Sequence, residues 1–203
     1  MQIERVADSE RWTPSLAAML VEVVAGGASL GFVEPFDVAD AVAWWPGFLA
    51  TAIVLVARDG DELVGTVSLA LAMPANGAHR AELRKLMVKP SARRRGIGAA
   101  LVAAAEDEAR GRARTLIVLD TVSGSGAEHL YRSLGYVEAG VIPGYARAPR
   151  GEVLESTTVF YKRLDPLQED GDELAAAHVE DEPANLEVVR QQGARPDPLD
   201  VLS

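Results

Sequence analysis

The chain has 203 residues, 48% of them hydrophobic, with no cysteine and a formal net charge of -10, a size that suits one domain with a substantial core plus an appendage. The lack of cysteine excludes disulfides and thiolate catalysis, and no apolar run approaches the roughly 20 residues that cross a bilayer. The charge is uneven: residues 165–203 hold 11 acidic residues against Arg190 and Arg195, which leaves 19 acids and 18 bases in residues 1–164, so general nucleic-acid binding has no electrostatic footing.

Two regions follow from this split, a domain-sized body over residues 1–164 and an acidic tail over 165–203. The tail is rich in Asp, Glu, Pro and Ala and has no aromatic residue. Such a composition rarely buries enough apolar surface to offset its ordering entropy, so it reads as mostly disordered, with one short helix near Leu186–Gln191 as the alternative. Met1–Asp8 carries acidic residues and no apolar h-region, so the expectation is a cytoplasmic protein with no membrane partner.

Along the body, strand and helix periods alternate. Gln2–Val6 reads as a strand. Thr13-Pro14 resembles an N-cap followed by proline at the first helical position, and Leu16, Met19, Leu20, Val23 and Val24 then recur at helical spacing until Gly26-Gly27. A second helix is expected over Asp37–Trp45, with Val38, Val42 and Trp45 on one face and Pro46-Gly47 as its stop. Ile53–Ala57 and Leu63–Leu71 are β-rich and flank Asp59-Gly60, the signature of a hairpin. Ala81–Lys89 is a further strand, Gly98–Ala109 an alanine-rich helix, Thr115–Thr121 an apolar strand, and Ala127–Leu134 a helix that Gly135 ends. Tyr136–Val141 and Thr157–Arg163 complete the strands.

The segment LRKLMVKPSARRRGIGAALVAAAEDEA, Leu83–Ala109, is the most informative. A strand ends at Lys89-Pro90, a basic loop follows, and Gly96 and Gly98 lie where the next helix begins. Glycines allow close backbone approach, the first-turn amides point outward, and the helix dipole favours negative charge there. A pyrophosphate suits such a place, and Arg93, Arg94 and Arg95 add charge beside it. The plain alternative is a tight turn with solvated arginines. No Gly-Lys-Ser/Thr follows, so this is not a P-loop, and no third glycine makes it a dinucleotide fingerprint. His79, His129 and His178 show no metal-ligand spacing, and no metal is expected.

Val88–Gly98, ending in Arg93-x-x-Gly96-x-Gly98, resembles the acetyl-CoA signature of the GNAT N-acetyltransferase superfamily. AEHLYRSLGYVEAG, Ala127–Gly140, is similar to that family's penultimate helix and following strand, with Tyr131, Gly135 and Tyr136 at the matching places. The resemblance implies an α/β (α+β) fold: a mixed, mostly antiparallel sheet with two splayed central parallel strands and helices on both faces. It also implies acetyl-CoA as co-substrate, with its pantetheine arm between Ala81–Lys89 and Thr115–Thr121. Backbone of Leu86, Met87 and Val88 would meet that arm, while Arg93, Arg94, Arg95, Gly96, Ile97, Gly98 and Ala99 cradle the diphosphate.

An N-acetyltransferase must orient an amine on a thioester, remove the amine's proton and protonate the departing thiolate. The resemblance makes Tyr131 the candidate general acid: a phenol of ordinary pKa about 10 stays protonated at neutrality and can supply a thiolate whose conjugate acid sits at about 8.5. Its alternative is a packing role with a satisfied hydroxyl. Glu82, near the start of the cofactor strand, and Asp120, at the end of the apolar run Leu116–Leu119, are candidate bases, since carboxylates on flanking strands suit proton removal from an ammonium. Glu82 could instead be a surface partner of Arg80 or Arg84, and Asp120 a loop hydrogen-bond acceptor.

HRAELRKLMVKPSARRRGIG, Leu119–Thr121, the tyrosine helix and VIPGYA (Val141–Ala146) together resemble the tabtoxin-resistance acetyltransferases, which implies that Glu82 and Asp120 assist acetylation of a small amine. Trp44, Trp45 and Tyr145 are candidates for the acceptor pocket or for the core. A protein N-terminus or lysine is the second acceptor class, a non-catalytic acyl-CoA sensor the third reading, and a homodimer is compatible with all three. An open acidic groove would favour a basic protein substrate, a closed pocket under VIPGYA a small one.

Overall fold

The computed structural model describes residues 1–71 and 73–164; the acidic tail, its alternative short helix and His178 lie outside the described residues. One seven-stranded sheet organises the rest. Its strands are β1 (Gln2–Arg5), β2 (Ala52–Asp59), β3 (Glu62–Ala70), β4 (Arg80–Val88), β5 (Leu116–Val122), β6 (Val137–Arg147) and β7 (Leu154–Arg163), in spatial order β1-β2-β3-β4-β5-β7-β6. Every neighbouring pair is antiparallel except β4–β5. Helices α1 (Ser9–Ala25) and α2 (Val38–Leu49) precede β2, α3 (Ile97–Arg110) links β4 to β5, and α4 (Gly126–Ser133) follows β5. Among the described residues no helix is long and apolar enough to cross a membrane.

Strand β2 shows why the sheet carries helices on both faces. Ile53, Leu55 and Ala57 pack with Leu101, Val102 and Ala105 of α3, whereas Val54 and Val56 pack with Leu16, Leu20 and Val23 of α1 and Trp45 of α2. A strand apolar at successive positions is one buried on both sides.

Two helix boundaries differ from the sequence expectation. Helix α1 starts at Ser9, because the Asp8 carboxylate accepts the Arg11 N–H at 3.2 Å and caps it. Thr13 is inside the helix, donating its hydroxyl to the Ser9 carbonyl at 2.7 Å. Helix α2 is capped by a reciprocal Asp37–Asp40 box and runs through Pro46 to Leu49. Its buried face is Ala41 and Trp45, and Val38 and Val42 are exposed. Stacking of Trp44 on Phe48, with ring centroids 4.6 Å apart, favours the turn that the proline weakens. Strand β6 continues beyond Val141 to Arg147, so VIPGYA is part of a long hairpin with β7.

The functional consequence of the topology lies between β4 and β5. Their pairing covers only Arg80–Leu116, Ala81–Ile117 and Glu82–Val118. Beyond Glu82 the strands part, and the edge of Leu83–Val88 that faces β5 has no ladder partner among the described residues. A bulge accompanies the parting: Thr66 pairs with Met87 but Ser68 with Arg84, so β4 carries one extra residue there. Lys85, at φ 51°, takes the left-handed conformation. Leu83 accordingly packs on the α3 side and Met87 on the α1–α2 side, which an unbroken period of two would forbid.

Candidate active site

Two cavities flank the gap. The first, about 670 Å³, is lined by Leu86, Met87 and Val88 of β4, by Arg93, Arg94, Gly96, Ile97, Gly98 and Ala99 of the turn into α3, and by Ser125, His129 and Ser133 of the α4 region. The second, about 290 Å³, is lined by Glu82, Arg84 and Lys85 of β4, Asp120 of β5, Tyr131 of α4, Tyr145 of β6 and Glu155 and Thr157 of β7. Leu30, Leu86 and Ala127 border both. A molecule threading the first cavity therefore ends, at Leu86, against whatever occupies the second.

The first cavity fits a long anionic ligand. Gly96 caps α3 at φ 78° with no side-chain cap, leaving the first-turn amides free to meet an anion along the helix dipole. A methyl group on Gly96 would meet nothing within 4 Å, whereas one on Gly98 would sit 3.2 Å from Leu130. Gly96 is thus required by its conformation, and Gly98 by the contact of α3 with α4. The arginines separate in role. Arg93 and Arg94 line the cavity, Arg93 donating Nε to the Val88 carbonyl at 3.3 Å. Arg95 is not among the lining residues, and its guanidinium pairs with Asp59 at 2.7 Å.

In the second cavity the three candidate catalytic side chains are brought together from three elements. Glu82 lies 2.9 Å from Arg84 Nε, so the ion pair considered from sequence forms within the cavity wall. Asp120 is exposed to the cavity, and among the described residues its side chain accepts a hydrogen bond only from the Thr157 hydroxyl, at 3.4 Å. Tyr131 is 4% exposed, its ring packed edge-on to Tyr136 at 5.5 Å and tilted against Phe160 at 6.0 Å. Burial, then the Asp120 charge, pushes its phenol above the ordinary tyrosine range, so it stays protonated under all ordinary conditions.

Helix α4 is fixed by Glu128. Its carboxylate accepts the Thr158 hydroxyl at 2.5 Å and pairs with Arg132 at 3.1 Å, and Thr158 in turn bonds Ser123 at 2.8 Å. Tyr131 therefore stands on a turn of helix tied to β7 and to the β5–α4 loop.

Three further features were not singled out by sequence. The ammonium of Lys85 donates to the Leu30 carbonyl and lies 5.4 Å from the Phe32 ring and 5.8 Å from the Trp44 ring. Glu34 donates its backbone N–H to the Pro149 carbonyl at 2.8 Å, while Arg150 bonds Glu34 at 2.8 Å and the Ala25 carbonyl at 2.7 Å. This clasp ties the α1–α2 segment to the β6–β7 turn beside the second cavity. Glu155 is the third. The consecutive charges Arg84-Lys85 between Leu83 and the apolar pair Leu86-Met87 break the strand alternation and are the trace a bulge leaves in sequence; nothing comparable marks Glu34, Arg150 or Glu155. Of the aromatic candidates, Tyr145 lines the cavity, while Trp45 is fully buried and Trp44 belongs to the Phe32–Phe48 cluster.

A mixed sheet parted at its one parallel pair, with a helix start of free amides in the gap and a buried tyrosine opposite, leaves a cleft that can hold a long anionic ligand beside a phenol. Residues 22–136 match the acetyltransferase (GNAT) family, and the chain belongs to it. Similar solved structures include a ribosomal-protein-alanine N-acetyltransferase from Brucella melitensis, 25% identical over 81% of this chain and all of that one, with a TM-score of 0.67. A GCN5-related N-acetyltransferase from Kribbella flavida is 24% identical over 80% of this chain and 98% of its own, with a TM-score of 0.65. The yncA protein from Salmonella typhimurium, solved with its cofactor acetyl-CoA, is 20% identical over 88% of this chain and 99% of its own, with a TM-score of 0.66.

Proposed function

We propose that this acetyltransferase moves an acetyl group from acetyl-CoA to a primary amine of a small molecule by direct attack. The observation that carries the acceptor class is the second cavity, limited in volume to about 290 Å³ and bordered by Ser29–Gly31 on one side and Tyr145–Ala146 on the other. The clasp of Arg150 on Glu34 and Ala25 ties those sides together. A folded protein surface has little room there. The sequence resemblance to tabtoxin-resistance enzymes supports the same acceptor class.

Acetyl-CoA fits the first cavity with its diphosphate at Gly96–Ala99 and its pantetheine along the unpaired edge of Leu86–Val88. A carboxylate of the Glu82–Asp120 pair takes the ammonium proton. Asp120 suits this better, because Glu82 is neutralised by Arg84. The carboxylate passes that proton to solvent, the amine nitrogen attacks the thioester carbon, the C–S bond breaks as Tyr131 gives its proton to the thiolate, and the second amine proton returns by way of the carboxylate to the Tyr131 phenolate. The products are an acetamide and free CoA thiol.

A second reading, acetylation of a protein N-terminus, is favoured by the likeness to the ribosomal-protein-alanine enzyme. Purified protein incubated with acetyl-CoA and a panel of small amines and peptides, with release of CoA thiol followed, separates the two. Turnover of small amines, lost in Asp120→Asn and Tyr131→Phe while acetyl-CoA still binds, supports the proposal. Turnover of peptides alone overturns the acceptor class, and binding without any turnover replaces the enzyme with an acyl-CoA sensor.

A further inference from the structure

We infer that Glu155 is the anchor for a second cation, so that the acceptor is a dicationic amine with one nitrogen presented to Asp120 and Tyr131 and the other held at Glu155. The inference rests on the small-amine reading and narrows it.

The charges that line the acceptor cavity lead to this assignment. Glu82 is paired with Arg84 at 2.9 Å. Lys85 has its ammonium on the Leu30 carbonyl and against two aromatic rings. Among the described residues Asp120 holds only the long contact from Thr157. Glu155 also lines the cavity, yet among the described residues no hydrogen bond or ion pair reaches its carboxylate, and its Oε2 is buried without a partner. The nearby arginines are engaged elsewhere, Arg147 with Glu152 at 3.4 Å and Arg150 with Glu34 at 2.8 Å. A buried, unpartnered carboxylate oxygen is costly and calls for a donor. A cationic donor entering the cavity is the one that also neutralises the charge.

Register fixes the geometry of the two ends. Asp120 pairs with Val159, and Val122 with Thr157, across β5–β7. Residues 155, 157 and 159 point to one face of β7, so Glu155, Thr157 and Asp120 share a face. The Asp120 carboxylate lies 3.4 Å from the Thr157 hydroxyl, and Thr157 is two residues from Glu155, about 7 Å of strand at ~3.3 Å per residue. An elongated acceptor lying along β7 spans that distance, whereas a short one reaches a single carboxylate.

The test measures acetyl transfer to α,ω-diamines of increasing length, and to monoamines and amino alcohols of the same lengths, with wild type and Glu155→Gln. The expected result is a kcat/KM for long diamines about tenfold or more above that of matched monoamines. That advantage is absent in the shortest diamine, shrinks as salt is added, and falls about tenfold in Glu155→Gln through KM. The wild-type length and salt series stands alone if the variant fails to fold. Equal kcat/KM for diamines and monoamines, or an advantage that survives Glu155→Gln, overturns the inference while leaving the small-amine reading intact. No turnover of any small amine overturns both.

Discussion

Lys85 of the β4 bulge donates its ammonium to the carbonyl of Leu30, joining the sheet at the point where it parts to the segment that borders both cavities. The bulge turns the side chain toward α1 and α2 and places it under Gly31, where an added methyl group would stand 3.6 Å from Nζ. Lys85→Met removes that donor and leaves a carbonyl to water. We expect a loss of about 1 kcal/mol in denaturant-derived stability and a several-fold rise in the acceptor's KM. An unchanged KM would mean that the Leu30 segment holds its place without the lysine.

The same lysine gives a pH test. Burial, reinforced by Arg84 and opposed by Asp120 and Glu82, lowers its pKa below the ordinary 10.5. The native state therefore binds fewer protons than the unfolded chain between the lowered value and 10.5, so stability rises with pH across that window. Lys85→Met lacks this term. The stability gap between wild type and variant should widen from neutrality toward the alkaline end; a gap that is constant with pH contradicts a buried ammonium.

Tyr131→Phe should lower kcat about a hundredfold, the scale of a well-placed general acid, with acetyl-CoA binding retained. Because the phenol is held above its ordinary range by burial and by Asp120, the wild-type kcat should show no alkaline fall up to about pH 10, where an unperturbed tyrosine would begin to ionise. A fall centred near that ordinary value would show that burial and Asp120 do not raise the phenol.

Gly65→Ala tests how α3 is seated. A methyl group there would lie 2.9 Å from Leu101 Cδ1 and 3.1 Å from both Ile97 Cγ2 and the Met87 carbonyl. The Leu101 and Ile97 side chains must yield, and any part of that displacement taken up by α3 is carried to the first-turn amides beside Gly96. The expected cost is about 1–3 kcal/mol in stability, together with weaker acetyl-CoA binding measured by calorimetry. Gly96→Ala meets no neighbour but must adopt φ 78°, at about 1–2 kcal/mol. The two variants therefore separate packing from conformation.

Much of this architecture was legible in the sequence because the signals were local. The hairpin turn at Gly60, the glycine start of α3 and the aromatic-glycine end of α4 each follow from one stretch of chain. The splayed pair could be named only through the family resemblance, since no local pattern tells β4 to leave β5 after Glu82. Asp120 stood out as a polar residue closing an apolar strand. Glu155 did not, because a glutamate near the start of a strand looks like any solvated one until β6, β7 and the α1–α2 segment enclose it. Arg95 was grouped with its neighbours by sequence proximity, and only the fold brings Asp59 to it. The α1 start was misplaced because Thr13-Pro14 imitates a cap that Asp8 provides.

Glu128 closes the set, because it shows whether Tyr131 depends on the anchor of its helix. The hydrogen bond from Thr158, the backbone N–H of Gly124 and the Arg132 charge together hold this carboxyl below its ordinary 4.5, against the opposing effect of burial. A depressed folded value means that the native state binds fewer protons than the unfolded chain, so the stabilisation is present above about 4.5 and is lost as pH falls through the folded value. Glu128→Gln keeps the shape and removes the titration. Its stability deficit should be largest near neutrality and should shrink with acid, as measured by denaturation at stepped pH. If the anchor positions Tyr131, the variant also lowers kcat with little change in the KM for acetyl-CoA, and Glu128→Asp restores part of it. A deficit that does not vary with pH, or a kcat untouched by Glu128→Gln, would show that α4 is seated by its apolar contacts alone.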